Sequence, residues 1–279
     1  MPHINFNGKI LAHASPLVGA ASRGLRYGDG LFETMKMLDN KIIHEADHFE
    51  RLWTGMEILQ FELPKHFTKE KLATAVKLLA KKNGYEKAAR IRLNIFRGDG
   101  GLYDAVNHTP NHVIEIWALA EGNGEWNSNG LVGGIYEDAK KNCDILSNIK
   151  HNNYLPYILA ALKAKKEKWN DAIVLNNFGR VADTSIANIF LIKNGELFTP
   201  ALAEGCVAGI MRKVLISHLK ENKYAVNEAA VSVEHLLAAD EVFFTNSMYN
   251  IRWVQRIGNT VYSNALVQKI YTSFCPTIY

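Results

Sequence analysis

Cysteine is scarce in this chain of 279 residues: only Cys143, Cys206 and Cys275 are present, far apart and without a Cys-x-x-Cys pair. An odd, scattered set argues against a disulfide framework and suits a reducing compartment. No apolar run approaches the ~20 residues that a membrane helix needs. Met1 to Ile10 lack the basic patch and apolar stretch of a secretion signal. A cytoplasmic location without a membrane partner is expected. An excess of charge of one sign is missing too. A net charge of +4, from 32 basic and 28 acidic residues, implies no strong field for nucleic acid, though a small anionic ligand remains compatible. No segment repeats and no tract is of low complexity. What is present is an ordinary globular balance, 48% hydrophobic and 22% charged, on a chain long enough for one large domain or two modest ones.

Periodicity then gives an alternation of helices and strands. Asp47 to Gln60 places Phe49, Leu52, Trp53, Met56 and Leu59 on one helical face, with Asp47 as a plausible N-cap. Thr68 to Lys82 repeats that spacing with Leu72, Val76, Leu79 and Ala80. Between Ala89 and Phe96 the period falls to two, with Ala89, Ile91, Leu93 and Ile95 on one face and Arg90, Arg92 and Asn94 on the other. His112–Leu119 is read as a strand, Tyr154–Trp169 as a helix capped by Asn153, and Ala172–Asn176 and Ala187–Lys193 as strands. Asn194-Gly195 predicts a tight type I′ hairpin, which needs positive φ at both positions. A helix from Gly209 to Lys220, a strand at Glu241–Thr245 and a turn at Gly258-Asn259 follow. The Gly- and Asn-rich stretch 121–130 divides the chain. The expected class is α+β in two domains: a smaller one over 1–120, an interdomain loop over 121–130 and a larger one over 131–279. A ligand is expected between them.

His44-Glu45-Ala46-Asp47-His48 matches the H-E-x-x-H pattern of zinc proteases. That pattern works only within one helix, where both imidazoles converge on the metal. Lys41 to Ile43 read as extended and Asp47 as a helix start, so the two histidines should point apart, as ordinary surface residues. No metal is expected. Phe96–Gly101 and Gly28-Asp29-Gly30 lack the spacing of a dinucleotide fingerprint. Lys163–Lys168 reads as a solvated helix face.

Five other segments carry chemistry together. They are Arg26–Thr34 (RYGDGLFET), His48-x-x-Arg51-Leu52, Ile149–Leu155 (IKHNNYL), Gly179–Phe190 (GRVADTSIANIF), and Thr199-Pro200 with Gly205–Arg212 (GCVAGIMR). In order and spacing they resemble class IV (fold type IV) pyridoxal phosphate (PLP) enzymes over nearly the whole chain. These include 4-amino-4-deoxychorismate lyase and D-amino acid aminotransferase, with branched-chain aminotransferases more distant. The resemblance implies PLP as cofactor, a small amino-acid-like substrate, and a homodimer.

It also implies roles. Lys150, in the larger domain, is the Schiff-base lysine, whose amine can afterwards move a proton at Cα. Asp183 takes the place of the family's usual Glu beside the pyridine nitrogen, where a carboxylate keeps the ring protonated. It is one methylene, roughly 1.5 Å, shorter. Arg51 matches the phosphate-binding arginine. Gly209, Ile210 and Met211 open a helix whose N–H groups and dipole suit the same phosphate. Thr245, Asn246 and Ser247 end a strand and either add hydroxyl or amide donors or form a simple turn. Tyr154 either hydrogen-bonds the ring oxygen or packs in the core. Tyr27, Arg97 and Arg26 are the substrate candidates, Arg97 as a carboxylate holder. Glu33 follows the family pattern without an assigned role.

The reaction is less clearly written. Asn at +3 from Lys150 is similar to both the lyase and the D-amino acid aminotransferase pattern, and the run Gly205–Arg212 and Arg97-Gly98-x-Gly100-Gly101 lean toward the lyase, although Leu102 stands where the lyase usually has an arginine. An amino-acid aminotransferase is the alternative, and a ligand-binding homologue without activity is a third reading.

Overall fold

A computed structural model describes residues 2–278. The chain forms two compact units. One runs to Glu121 and takes in Ile149–Asn153, and the other comprises Gly122–Asn148 and Tyr154 onward.

The first unit contains β1 (His3–Phe6), β2 (Lys9–Ala12), α1 (Arg23–Tyr27), β3 (Gly30–Leu38), β4 (Lys41–Ile42), α2 (Glu45–Ile58), α3 (Lys69–Asn83), β5 (Ala88–Arg97) and β6 (Pro110–Ala118). Its strands form a six-stranded sheet in the order β2-β1-β6-β5-β3-β4. The two-residue period of β5 does what alternation demands: Ala89, Ile91, Leu93 and Ile95 are fully buried beneath the apolar faces of α2 and α3. Thr68 caps α3 through Lys71 N–H, and Gly84 closes it in the left-handed region at φ 72°. α2 begins two residues earlier than the sequence suggests. His44, at φ 54°, is its N-cap, and Asp47 instead lies with Glu45 in the first turn, where acidic side chains meet the positive end of the helix dipole.

β3 pairs with β5 over its full length but with β4 only at Met37 and Leu38. The backbone groups at its beginning are therefore open on one side, and Ile149–Asn153 takes them. Phe32 N–H donates to Lys150 O at 2.8 Å, and Asn152 N–H donates to Gly30 O at 2.9 Å, around a Leu31–His151 bridge. This pairing puts Lys150 in the first unit, not in the C-terminal one where the sequence reading had it.

The second unit holds β7 (Leu131–Lys141), α4 (Leu155–Glu167), β8 (Asp171–Asn176), β9 (Val181–Thr184), β10 (Asn188–Lys193), β11 (Glu196–Pro200), α5 (Ile210–Glu221), β12 (Val226–Ala229), α6 (Val233–Leu237), β13 (Glu241–Asn246), β14 (Asn250–Ile257), β15 (Thr260–Val261) and α7 (Ala265–Phe274). Its sheet runs β12-β11-β10-β13-β14-β7-β8-β9, with β15 on β14. The Asn194-Gly195 turn joins Lys193 to Glu196 with φ 52° and 81° at its two central residues, the expected hairpin. α4 is capped by Tyr154 and not by Asn153. From Gly122 onward the 121–130 stretch is fastened to this unit. Asn127 exchanges hydrogen bonds with the Trp253 backbone and accepts from its indole N–H, while Tyr271 donates to Gly124 O. Among the described residues no helix is long and apolar enough to cross a membrane.

Candidate active site

In the first unit, the Lys150 backbone is clamped on β3 and its Nζ lies 4.7 Å from the Phe32 ring centroid. Gly30 permits the clamp. A Cβ there would strike Ile95 O and come within 2.7 Å of Asn152 Nδ2. One residue beyond Phe32, buried Glu33 binds Arg51 with both oxygens, at 2.8 Å (Nε) and 2.6 Å (Nη2), and His48 Nδ1 at 2.7 Å. Burial pushes the Glu33 carboxyl up, but the Arg51 and His48 charges and their hydrogen bonds overturn this and hold it at about 2. His48 is thus a core residue of an ion triad and not a surface histidine. Glu33, left without a role by the sequence, fixes the Nε edge of Arg51.

Arg97 has other partners than a substrate. Its guanidinium binds Asp29 at 3.0 Å, the carbonyls of Leu59 and Gln60, and His108, and it lies 4.3 Å from the Phe61 ring centroid. Asp29 also takes Arg23 at 2.8 Å. Buried in this lattice of structural contacts, Arg97 is not carried forward as a carboxylate holder. Arg26 is exposed and donates to Ala20 O at 2.6 Å. Tyr27 is half-buried, with the Arg23 guanidinium 5.1 Å from its ring centroid and the Tyr103 ring 6.2 Å away.

The second unit gathers its polar groups around Asp183, which is 2% exposed. Its Oδ2 accepts from Tyr157 OH (2.8 Å) and Val207 N–H (2.8 Å), with Lys141 Nζ at 3.4 Å, and its Oδ1 accepts from Asn188 Nδ2 at 2.7 Å. Burial raises the Asp183 carboxyl, and the Lys141 charge and these hydrogen bonds oppose that only in part. Asn188 also donates to Val207 O at 2.9 Å. Gly209 is the N-cap of α5, and no side chain caps it; a Cβ there would collide with Asn188 Oδ1. The N–H groups of Ile210 and Met211 open that helix, where intrahelical acceptors do not exist. Tyr154 stacks on Tyr157 with ring centroids 4.4 Å apart.

Thr245 and Asn246 end β13, just ahead of the turn over Ser247, Met248 and Tyr249. Thr245 Oγ1 donates to Asn250 O at 2.6 Å, Asn246 Nδ2 donates to Ile186 O at 3.1 Å, and Asn246 Oδ1 accepts from Met248 and Tyr249 N–H. Both side chains thus serve the local backbone, and the Asn246 amide has a second N–H beyond its bond to Ile186 O.

The amino-transferase class IV family model matches residues 30–257. The chain belongs to this family. An aminodeoxychorismate lyase of Vibrio harveyi is 30% identical over 86% of this chain and 87% of that protein. A putative branched-chain-amino-acid aminotransferase of Methanocaldococcus jannaschii is 30% identical over 96% of this chain and 92% of that protein. The branched-chain aminotransferase of Thermoproteus uzoniensis, solved with norvaline, superposes with a TM-score of 0.89 at 25% identity, covering 99% and 94% of the two chains.

Class IV enzymes are PLP-dependent, and the groups present suit that cofactor. Asp183 Oδ1 accepts one hydrogen bond where a carboxylate oxygen has room for about two. Lys150 supplies an amine, and the first turn of α5 supplies N–H groups for an anion. Sequence reasoning missed Tyr157, Lys141 and Asn188. Tyr157 lies three residues after Tyr154, on the same helical face, and Asn188 five after Asp183, but only strand pairing brings Lys141 to them.

Proposed function

We propose that this chain releases pyruvate from 4-amino-4-deoxychorismate to leave 4-aminobenzoate, with Lys150 moving the proton. The observation that carries the chemistry is the clamp on Lys150: two backbone hydrogen bonds to β3 fix where its amine starts. In this reading PLP is held by Lys150 at its aldehyde, by Asp183 at its ring nitrogen, and by Arg51 with Gly209, Ile210 and Met211 at its phosphate. When bound, it supplies a sink for the electrons left at the amino-bearing carbon. The chain's own part is positional and acid–base. Lys150 takes the proton from that carbon, a role worth typically ~10²–10⁴ in rate. Glu33 orients Arg51, Asn188 and Tyr157 orient Asp183, and Tyr27, with Arg26 nearby, meets the substrate. Tyr154, stacked on Tyr157, borders the ring.

Support for the lyase comes from the Gly205–Arg212 run, which contains both the Val207 N–H that meets Asp183 and the first turn of α5, and from the Vibrio harveyi relative. Purified protein given this substrate is expected to form pyruvate, and none above a Lys150→Ala control rejects the reading. The second reading, transfer of the amino group to a 2-oxo acid, is favoured by the Methanocaldococcus relative and the Thermoproteus neighbour. There, stoichiometric amino acid converts the cofactor's absorbance to that of pyridoxamine phosphate. A panel of L- and D-amino acids that leaves the spectrum unchanged dismisses it. A homodimer fits the exposed stripe Leu155, Ile158, Leu159 and Leu162 on α4, and light scattering tests it.

A further inference from the structure

Lys141 is, with Lys36, one of two buried lysines among the described residues, and nothing above gives it a task. It ends β7, is 6% exposed, and donates to Ser147 O at 2.8 Å. Its Nζ stands 3.4 Å from Asp183 Oδ2 and 5.2 Å from the Tyr157 ring centroid. Burying an ammonium is costly unless an anion or an acceptor compensates. Here the anion is the Asp183 carboxylate.

We infer that Lys141 is the counter-charge of Asp183 and a positioning residue for the carboxylate that faces the cofactor's ring nitrogen. The inference rests on that proposed role of Asp183. Every other group around the carboxylate is neutral. Tyr157, from α4, presents a phenol that burial holds well above its usual range, with Tyr154 stacked behind it. β10 gives the Asn188 amide and the segment before α5 gives Val207 N–H. The Cys206 thiol nearby is pushed by burial to about 12. Arg212 on α5 is paired with Glu228 at 3.0 Å and with Pro200 O. Lys141 is thus the one cation in contact with Asp183 among the described residues. Without it, only neutral hydrogen bonds oppose burial, the carboxyl is raised further, and it serves less well as a counter-ion to a protonated ring.

Charge and scaffolding are separable because they depend differently on pH. Lys141→Gln keeps a donor for Ser147 O and removes the charge, whereas Lys141→Arg keeps the charge. PLP dissociation constants are measured for the full-length wild type and both variants from pH 6 to 9, with Asp183→Asn as a fourth protein. The Lys141→Gln/wild-type ratio is expected to be largest at the acid end of this range and to fall toward one as pH rises, by at most ~tenfold per pH unit where Asp183 ionises, while Lys141→Arg stays near wild type throughout. Lys141→Gln in the Asp183→Asn background should add nothing. A ratio that is constant with pH, or that never departs from one, overturns the inference. If Asp183→Asn itself leaves PLP affinity and absorbance untouched, the role given to Asp183 has failed, and the inference falls with it. That failure is distinguished from the others by being visible without any change at Lys141.

Discussion

Glu33 in the first unit and Asp183 in the second are both carboxylates shut away from water, yet they shift in opposite directions. Glu33 faces a bidentate guanidinium at 2.6 and 2.8 Å and an imidazole at 2.7 Å, and it is held at about 2. Asp183 has more donors in number, but three are neutral and its ammonium stands off at 3.4 Å, so burial wins and the carboxyl is raised. Neutral dipoles satisfy lone pairs, and it takes a full charge at contact distance to offset the desolvation of an anion. The two units have thus built different tools. One is a locked ion triad that aims a cation, and the other is a carboxylate whose charge can still be adjusted.

The largest expected effect comes from breaking the triad. Glu33→Gln strands Arg51 and the buried His48 without an anion, which should cost about 3–5 kcal/mol of stability at pH 7 in urea unfolding. A loss no larger than that of Asp183→Asn would erase the contrast. The acid limb is next. Because the folded Glu33 lies near 2 and the unfolded group near 4.5, its contribution is full above pH 4.5 and fades as pH falls to about 2, roughly 3 kcal/mol in all. His112, which burial holds down to about 4, loses its own contribution between pH 6.5 and 4. The wild-type minus Glu33→Gln difference curve removes His112 and isolates Glu33. A flat difference curve below pH 4.5 would show that Arg51 and His48 do not hold the carboxylate.

Asp183→Asn should be milder, about 1–3 kcal/mol, since Tyr157 and Val207 keep an oxygen to donate to while the new amide faces the Asn188 donor. Its pH signature is opposite in sign. Asp183 is raised in the fold, so what it contributes is present at low pH and is lost as pH rises through the folded value. The wild type should therefore gain on Asp183→Asn as the solution is acidified, measured at matched urea concentrations. The same trend for Glu33→Gln would remove the distinction between the two carboxylates.

Local features of the fold were legible because their causes are local. The alternation of β5, the Asn194-Gly195 turn and the apolar faces of α2 and α3 each follow from a few neighbouring residues. Helix caps chosen by residue type differ from the structure by one to three positions: His44, not Asp47, caps α2 with backbone geometry alone, and Tyr154 displaces Asn153 on α4. The site was half legible. Lys150 and Asp183 stand out by their flanking residues, but the groups around the two buried carboxylates come from 15 to 42 positions away and meet only in the packed fold: His48 of α2 with Glu33, and Tyr157 of α4 and Lys141 of β7 with Asp183. Arg97 was correctly seen at a strand end. What surrounds that end, the Leu59 and Gln60 carbonyls and Asp29, is set by tertiary packing and gives it a structural task.

The smallest effect is the sharpest on what sets the Asp183 carboxyl. Tyr157→Phe removes one neutral donor at 2.8 Å and leaves Val207 N–H and Lys141 on the same oxygen, so it should cost only about 0.5–1.5 kcal/mol. The phenyl ring still stacks on Tyr154 and still lies beneath Lys141, which keeps the packing term nearly constant. What remains is the hydrogen bond to the ionised form. Its loss should raise the Asp183 carboxyl further and move the alkaline loss of stability to higher pH, a shift readable by comparing unfolding curves at several pH values. Lys141→Gln should move it in the same direction and by more, because a charge is lost in addition to a dipole. If Tyr157→Phe produced the larger shift, the phenol, not the ammonium, would be what governs the Asp183 carboxylate.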